Sequence, residues 1–247
     1  MRAFLTAQGV AKAYGGVQAL DGLDLELGAV ELLCIIGPNG CGKTTLFRVL
    51  SGETTPDSGR ILLEGHAIHD RPAYRVARLG VARKLQTPGI WPELTVAENM
   101  AVPLFTGPAR YGFFGLISPS RRRDAHELLR LAGLSAHAHR PAGELAHGAR
   151  QWLEIAMLLA LQPRLLLLDE PTAGMTPAET RRTADLIRRI RAEAGIAVIV
   201  IEHDLAFVRA VEAPVAVMMR GRIVRRGSYA EVAADTLVRE IYLGRQG

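Results

Sequence analysis

Cysteine is scarce in this chain, since Cys34 and Cys41 are the only two among 247 residues. That number is too small for a disulfide framework and is typical of a protein from a reducing compartment. Long hydrophobic runs are missing as well. The most apolar stretch, around residues 153–168, is interrupted by charged residues and a proline, so it falls short of the ~20 apolar residues that a membrane-spanning helix needs. The N-terminus lacks a basic segment followed by an apolar one, and we expect no secretion signal.

Aromatic residues make up only 5% of the chain, and their scarcity bears on the meaning of its formal net charge of +5. The arginines are spread over the predicted helices beside aspartates and glutamates and are not interleaved with aromatic side chains. This arrangement does not favour a nucleic-acid-binding surface, and we expect no nucleic acid partner. Weak attraction to an anionic membrane surface is the milder alternative. Apolar residues reach 49%, which predicts a globular chain with a buried core.

Segments with the patterns of strands and of helices alternate along the chain. Strand patterns, with a Gly-Gly turn after the first, cover residues 3–10, 23–27, 30–36, 164–170 and 196–202, and hairpin-like pieces cover 58–68 and 213–227. Helix patterns cover residues 46–52, 121–132 with Ser120 as N-cap, 149–161, a short piece after 202 and the C-terminus. The alternation predicts an α/β fold with a largely parallel sheet covered on both faces.

One helix has well-marked ends. Thr176 is a suitable N-cap, Pro177 then occupies the first helical position, and Glu179 completes a capping box. The helix is predicted to run to about Ala194 and to stop at Gly195.

The stretch GPNGCGKTT fits the phosphate-loop pattern G-x-x-x-x-G-K-[ST], with a strand before it and a helix after it. Its glycines allow a tight turn that points N–H groups at phosphate oxygens, and the helix N-terminus adds the positive end of its dipole. We expect Lys43 to reach the β and γ phosphates and the Thr44 hydroxyl to ligate Mg²⁺. The predicted nucleotide site comprises Gly37, Pro38, Asn39, Gly40, Cys41, Gly42, Lys43, Thr44 and Thr45. A turn that merely caps the helix is the alternative interpretation.

Cys41 lies inside this loop, and two interpretations of its thiol are open. A helix N-terminus and a nearby lysine lower a thiol pKa, which would make Cys41 reactive. The favoured interpretation is that Cys41 is a small residue that fills space.

Asp169 and Glu170 follow four leucines at the end of a predicted buried strand. Adjacent residues of a strand point to opposite sides, so the two carboxylates can have different tasks. We expect Asp169 to hold Mg²⁺, partly through water, and Glu170 to act as general base toward the attacking water. An acidic helix cap is the alternative interpretation.

Together these motifs resemble the ATP-binding subunit of an ABC transporter, and the resemblance covers essentially the whole chain. It implies an α/β fold of the P-loop (RecA-like) type, an ABC nucleotide-binding domain with an antiparallel β subdomain and an inserted α-helical subdomain. The nucleotide-binding core is then expected over residues 1–87 and 156–227, the inserted subdomain over 88–155, and a C-terminal helix over 228–247.

The resemblance also implies roles for residues that carry no signal by themselves. Tyr14 falls where the family stacks an aromatic ring on adenine, and Gln86 matches the loop glutamine that contacts Mg²⁺ and senses the membrane partner. His203 matches the switch histidine near the γ-phosphate. Residues 145–148, LAHG, lie where the family has its signature turn, and residues 173–176 match the loop that crosses the dimer interface. Catalytic roles are thereby implied for Glu170, His203, Gln86 and Lys43.

In this family two domains meet head to tail, so the signature turn is expected to contact the partner's nucleotide through Ala146, His147 and Gly148. The stretch departs from the usual Leu-Ser-Gly-Gly-Gln, since Ala146 replaces the serine that donates to the γ-phosphate and Ala149 replaces the glutamine. Loss of one charge-assisted hydrogen bond costs on the order of 1.5–3 kcal/mol, which suggests a weakened site on the partner's phosphate loop. Backbone contacts that suffice without the serine are the alternative.

Longer stretches of sequence indicate which subgroup of ABC importers the chain resembles. RKLQTP, HGARQWLEIAMLLA and LLLLDEPTAGMTPAET resemble the ATP-binding subunit of urea importers, and importers of branched-chain amino acids or short amides are the alternative. The resemblance implies ATP and Mg²⁺ as cofactors, a second and non-identical ATP-binding subunit, two membrane permease subunits and, indirectly, a solute-binding protein. Such a chain is peripheral to the cytoplasmic face of the plasma (inner) membrane. Ile90, Trp91 and Leu94 are candidate apolar contacts for the permease, with ordinary packing as the alternative.

Two other classes remain as alternatives. Soluble ABC-type ATPases act on DNA or ribosomes, but they usually carry two cassettes or a long inserted arm, and this chain has neither. A phosphate-loop kinase needs an acceptor site and leaves Gln86, the signature turn and His203 unexplained.

Overall fold

A computed structural model describes residues 3–84, 89–106, 119–236 and 238–239 of the chain. Within these ranges strands and helices alternate. The strands are β1 Leu5–Tyr14, β2 Val17–Leu27, β3 Leu32–Ile36, β4 Ser58–Leu63, β5 His66–Ala67, β6 Val81–Arg83, β7 Leu165–Asp169, β8 Ala197–Ile201, β9 Val215–Met219 and β10 Arg222–Gly227. The α-helices are α1 Lys43–Leu50, α2 Ala73–Arg78, α3 Val96–Thr106, α4 Pro119–Leu131, α5 His147–Leu159, α6 Pro177–Ala194, α7 Leu205–Ala210 and α8 Tyr229–Ala234.

The larger sheet has six strands in the order β10-β9-β3-β8-β7-β6. Its strands from β9 to β6 are parallel, and β10 pairs antiparallel at one edge. Strands β3, β7 and β8 are five-residue segments in which every residue is buried, as expected for strands covered on both faces. The predicted α/β fold with a largely parallel sheet is confirmed.

The smaller sheet is antiparallel and has the order β2-β1-β4-β5. Strands β1 and β2 meet at Gly15 and Gly16, which both have positive φ, 51° and 86°, as a tight turn requires. Both strands are longer than predicted, because the residues next to the turn continue the pairing as far as Tyr14 and Val17. The predicted hairpin over 58–68 is confirmed by the pairing of β4 with β5.

Helices α3, α4 and α5 pack on one another between β6 and β7 in the chain order. The starts of α4 and α5 were predicted too late. Helix α4 begins at Pro119, so Ser120 lies inside the first turn and is not the N-cap. Helix α5 begins at His147 rather than 149, with Ala146 at the N-cap position. The start of α5 lacks the side-chain cap that makes a boundary visible in a sequence.

The best-marked helix of the sequence agrees with the structure at both ends. Thr176 is the N-cap of α6, accepts from the N–H of Glu179 and completes a capping box with it. Gly195 ends the helix in the left-handed conformation at φ 62°. The predicted C-terminal helix begins at Tyr229, after a second capping box at Ser228 and Glu231, and α8 ends at Ala234. Of the residues that follow, 237 and 240–247 lie outside the described residues.

Side chains of the central strands alternate between two separate cores. One core contains Leu33, Ile35, Leu165, Leu167 and Ile199 together with the antiparallel sheet and α1. The other contains Leu32, Cys34, Ile36, Leu166, Leu168 and Val198 together with α3, α4, α5 and α6. The period of two in a strand produces this division. None of the described helices has both the length and the apolar character to cross a membrane.

Candidate functional site

The phosphate loop joins the buried end of β3 to the first turn of α1, and its glycines are there for steric reasons. A Cβ atom on Gly42, at φ 105°, would lie 2.1 Å from the carbonyl oxygen of Ala19. A Cβ atom on Gly37 would lie 2.2 Å from the carbonyl oxygen of Met218. The loop can therefore be held this closely against β2 and β9 only with glycine at these two positions.

Lys43, the first residue of α1, is buried, and its ammonium group lies along the inside of the loop. Its Nζ donates to the carbonyl oxygens of Gly37 at 2.8 Å and Pro38 at 3.0 Å. The N-cap residue, Gly42, has no side chain, so the first N–H groups of α1 receive no side-chain cap. Thr44 is exposed on the same turn. An ammonium group, uncapped N–H groups and a hydroxyl thus converge where a phosphate group can be bound.

The surroundings of Cys41 decide between the two interpretations of its thiol. The side chain is 5% exposed, and Sγ lies 3.8 Å from Nζ of Lys43. Burial raises the thiol pKa above its ordinary value, and the lysine offsets this only in part. Cys41 is therefore a packing residue under the loop, as the favoured interpretation predicts. Burial also raises the pKa of Cys34, to about 12.

Asp169 ends β7 as a buried carboxylate that faces a guanidinium group. Its Oδ2 lies 3.5 Å from Nη2 of Arg83, whose Nη1 lies 2.8 Å from Oε1 of Glu53. Burial raises the pKa of Asp169, and Arg83 offsets part of that rise. No motif of the sequence includes Arg83. It is a charged residue at the end of an otherwise apolar strand, and that pattern does not identify the residue with which it pairs.

Glu170 and His203 come from neighbouring strands, β7 and β8, and their side chains meet. Oε1 of Glu170 lies 3.1 Å from Nε2 of His203, and both side chains are partly exposed. The backbone of Glu170 is left-handed, at φ 47°, a conformation that is uncommon outside glycine and recurs at functional sites. The structure therefore brings together two residues that are 33 positions apart in the chain (203 minus 170).

The three segments share one edge of the sheet. The phosphate loop follows β3, Glu170 follows β7 and His203 follows β8, and these strands are parallel neighbours in the order β3-β8-β7. The carboxyl ends of parallel strands lie at the same edge, where ligands of open α/β sheets bind.

The signature turn is docked on the loop that precedes α6. Nε2 of His147 lies 3.0 Å from the carbonyl oxygen of Ala173. Gly148 is buried against Glu179, and a Cβ atom on Gly148 would lie 2.6 Å from Oε1 of that side chain. His147 and Ala146 are exposed. The predicted surface for a partner's nucleotide is thus held by the chain's own 173–179 segment.

A buried ion pair lies beside the segment that contains Gln86. Nζ of Lys84 is 3.5 Å from Oε2 of Glu154 on α5, and both side chains are buried. The other oxygen, Oε1, accepts from the N–H of Gly89 at 3.2 Å. Glu154 therefore contacts Lys84 and Gly89, the two residues that flank positions 85–88. Gln86 is one of those four positions, and they lie outside the described residues. Burial raises the pKa of Glu154, and Lys84 counteracts that rise.

Tyr14 and the candidate permease contacts differ in how much of each side chain is exposed. The Tyr14 side chain, at the end of β1, is 40% exposed, and Nζ of Lys12 lies 5.6 Å from its ring centroid. Trp91 is 44% exposed, whereas Ile90 and Leu94 are half-buried. Ile90 packs against the helical core, so for this residue the packing interpretation holds.

Comparisons with known proteins agree with this arrangement. The profile described as "ABC transporter" matches residues 20–173. The high-affinity branched-chain amino acid transport ATP-binding protein LivG of Escherichia coli K12 is 36% identical over an alignment of 248 positions, which covers 97% of each chain. The chain belongs to the ABC transporter family. The ribose import ATP-binding protein RbsA 1 of Rubrobacter xylanophilus is 38% identical across 97% of this chain, which matches 47% of that longer protein.

The fold is also that of a solved ABC cassette. An ATP-binding cassette of an ABC transporter, crystallised in its ADP conformation, superposes with a TM-score of 0.88 and 30% identity. The match covers 99% of this chain and all of that one. The predicted P-loop ABC nucleotide-binding fold is confirmed.

Proposed function

We propose that this ABC ATPase hydrolyses ATP as the peripheral subunit of an importer for a small polar solute. The observation that carries the proposal is the contact between Glu170 and His203, 3.1 Å apart, at the sheet edge that also holds the phosphate loop. A carboxylate oriented by a histidine at that edge suits the activation of a water molecule beside a bound γ-phosphate.

The loop Gly37–Thr45 is proposed to bind the ATP phosphates. Its uncapped N–H groups donate to phosphate oxygens, and Lys43 exchanges the carbonyl oxygens of Gly37 and Pro38 for the β and γ phosphates. Tyr14 is proposed to stack on adenine, since its ring is partly exposed at the end of β1.

The residues present fit Mg²⁺. This ion keeps several waters and takes one or two protein oxygens besides phosphate, so the Thr44 hydroxyl and the Asp169 carboxylate are a sufficient protein donor set. Among the described residues no group of three or more His, Cys, Asp or Glu side chains could hold a metal ion by itself. Mg²⁺ that is bound together with phosphate does not need such a group. Gln86 is proposed as a further ligand. Bound there, the ion would neutralise phosphate charge.

For hydrolysis we assign the proton transfer to this chain's own groups. The Glu170 carboxylate accepts a proton from the water whose oxygen attacks the γ-phosphorus, and the bond to the β-phosphate oxygen breaks. His203 orients Glu170 and donates toward the γ-phosphate oxygens. The products are ADP and phosphate.

The partners are proposed from the family. Ala146, His147 and Gly148 are assigned to the γ-phosphate bound by a second, non-identical ATP-binding subunit. Two permease subunits would dock near Gln86 and the exposed ring of Trp91, with a solute-binding protein outside the membrane. The site of action would be the cytoplasmic face of the plasma membrane. No nucleic acid partner is proposed.

The solute is proposed to be urea, because RKLQTP and HGARQWLEIAMLLA resemble urea-importer subunits. Relatives named for branched-chain amino acid transport favour an amino acid as the second candidate. Uptake of labelled urea and labelled leucine by cells with and without the gene separates them. Loss of urea uptake alone supports the proposal, and loss of leucine uptake alone replaces it.

ATP hydrolysis is tested with the purified chain over a range of concentrations, with and without Mg²⁺. Glu170→Gln serves as the blank, and it should retain ATP binding while turnover falls roughly 100- to 10,000-fold. A rate per chain that rises with concentration indicates self-pairing. A rate at the blank level that rises on addition of a second subunit indicates a heterodimer.

A further inference from the structure

Glu202 is a buried carboxylate between the two segments that carry Glu170 and His203. It follows β8 directly, and only 3% of the residue is exposed. Its Oε1 accepts from the N–H of Thr172 at 2.8 Å and from the Thr172 hydroxyl at 2.6 Å. Its Oε2 accepts from the N–H of His203 at 3.0 Å and of Asp204 at 3.4 Å.

Among the described residues only these four donors stabilise the charge of Glu202, since no cation there lies within ion-pair distance of the carboxylate. Burial raises the pKa of Glu202, and hydrogen bonds from Thr172 and from the backbone of residues 203–204 counteract that rise. A carboxylate buried without a counter-ion is costly, so its position at this point requires a reason beyond packing.

The hydrogen bonds connect two chain segments at the point where their functional side chains leave the backbone. Thr172 is two residues after Glu170, and His203 is the next residue after Glu202. Glu170 also has a left-handed backbone, at φ 47°, which persists only when its surroundings determine it. The planar carboxylate group of Glu202 therefore holds both the segment after Glu170 and the backbone of His203.

We infer that Glu202 is a positioning residue for hydrolysis, which sets the separation of Glu170 Oε1 and His203 Nε2 by holding residues 172 and 203–204 together. The inference rests on the proposed function, because it assigns Glu202 to the same hydrolytic site. Displacement of a reacting group by about 1 Å can lower a rate about 100-fold, so a small change in this link is expected to be visible in turnover.

The first test is Glu202→Gln in the assembly that hydrolyses ATP. The amide NH₂ group replaces one acceptor oxygen and meets N–H donors, so one half of the link is lost while the volume is kept. We expect kcat to fall about 100-fold, with the ATP dissociation constant and KM unchanged. A kcat equal to that of the unmodified chain overturns the inference, and so does an equal fall of kcat and ATP affinity.

A double-mutant cycle with His203→Ala separates positioning from general destabilisation. If Glu202 acts through the Glu170–His203 pair, the double variant loses little more than His203→Ala alone. Losses that multiply would mean that Glu202 acts elsewhere, and would overturn the inference. Hydrolysis by the unmodified chain above the Glu170→Gln blank is measured first, so failure of the proposed function is recognised separately.

Thr172 keeps the inference testable if Glu202→Gln does not fold. Thr172→Val removes the hydroxyl donor at nearly constant volume, and Thr172→Ser keeps it. We expect about a tenfold lower kcat for Thr172→Val and near-complete recovery for Thr172→Ser, since one charge-assisted hydrogen bond is at stake. Equal activity of the two variants contradicts the link.

Discussion

Nε2 of His147 lies 3.0 Å from the carbonyl oxygen of Ala173, so the first residue of α5 is tied to the loop that precedes α6. Because a carbonyl oxygen only accepts, the imidazole must carry its proton on Nε2 in this contact. The signature turn and the 173–176 loop are therefore joined within one chain, and a shift of either segment is transmitted to the other.

Loss of this contact should lower turnover without affecting binding by the phosphate loop. His147→Ala removes one hydrogen bond, worth about 1 kcal/mol, so we expect a several-fold lower ATPase rate in the dimeric assembly. His147→Gln retains an N–H donor and is the matched control, expected to keep most of the activity. Steady-state kinetics and ATP affinity check this, and equal rates for both variants and the unmodified chain would contradict it.

Restoration of serine in the signature turn is the second prediction. Ala146→Ser places a hydroxyl at the exposed N-cap of α5, where it can donate to a partner's γ-phosphate and also cap the helix. We expect turnover at the shared site to rise about tenfold, in line with one charge-assisted hydrogen bond. Ala149→Ser, three residues further on, controls for an added hydroxyl. An unchanged or lower rate for Ala146→Ser would mean that backbone contacts suffice.

The buried pair of Lys84 and Glu154 leads to a prediction about stability. Loss of one partner of a buried ion pair typically costs 3–5 kcal/mol, and we expect a loss of roughly this size for Glu154→Leu and for Lys84→Met. The double replacement removes both charges of the pair and should recover most of the loss. Urea denaturation of the two single variants and the double variant measures this. A double variant whose loss equals the sum of the two single losses would show that the pair is not coupled.

Asp169 provides a prediction about pH dependence. Burial raises its pKa above the ordinary value of 3.8, so the folded chain holds the proton more tightly than the unfolded chain does. The carboxylate therefore lowers stability as pH rises above that ordinary value, and the full cost is present above the folded-state pKa. Arg83 keeps Glu53 as an ion-pair partner at 2.8 Å when Asp169 is replaced, so no buried cation is left unpaired. Asp169→Asn should therefore raise the free energy of unfolding at pH 7, with a gain that disappears as the pH falls to about 4.

Two controls accompany that measurement. Asp70→Asn changes an exposed aspartate and should leave the free energy of unfolding within about 0.5 kcal/mol at each pH. Asp169→Asn should also lose ATP hydrolysis, because a proposed Mg²⁺ ligand is gone. If Asp169→Asn destabilises the chain at neutral pH, the contact with Arg83 outweighs the cost of burial.

The sequence predicted those parts of the fold and site that depend on local chemistry. The phosphate loop lies between its strand and helix, and helix α6 has the predicted cap and stop, because caps and glycine turns are determined by neighbouring residues. Helix α5 begins two residues before its predicted start, because the side chain of Ala146 cannot cap the helix and so does not mark the start in the sequence.

The rest depends on residues far apart in the chain. Glu202 contacts Thr172, and Arg83 contacts Asp169, through the pairing of strands that no local pattern defines. A charged residue at the end of an apolar strand indicates that a buried partner exists, but not which residue it is. Only the order of the strands in the sheet shows which of these distant residues are in contact.

Neighbouring residues of β7 belong to different hydrophobic cores, since Leu167 faces the antiparallel sheet and Leu168 faces the helices. Single labels at these two positions, one residue apart, would therefore act as independent reporters of two halves of the molecule. A fluorinated leucine at 167 would sense events at the nucleotide side, and one at 168 would sense rearrangement of α3 to α6. Comparison of the two signals would give the order in which the halves respond during a catalytic cycle.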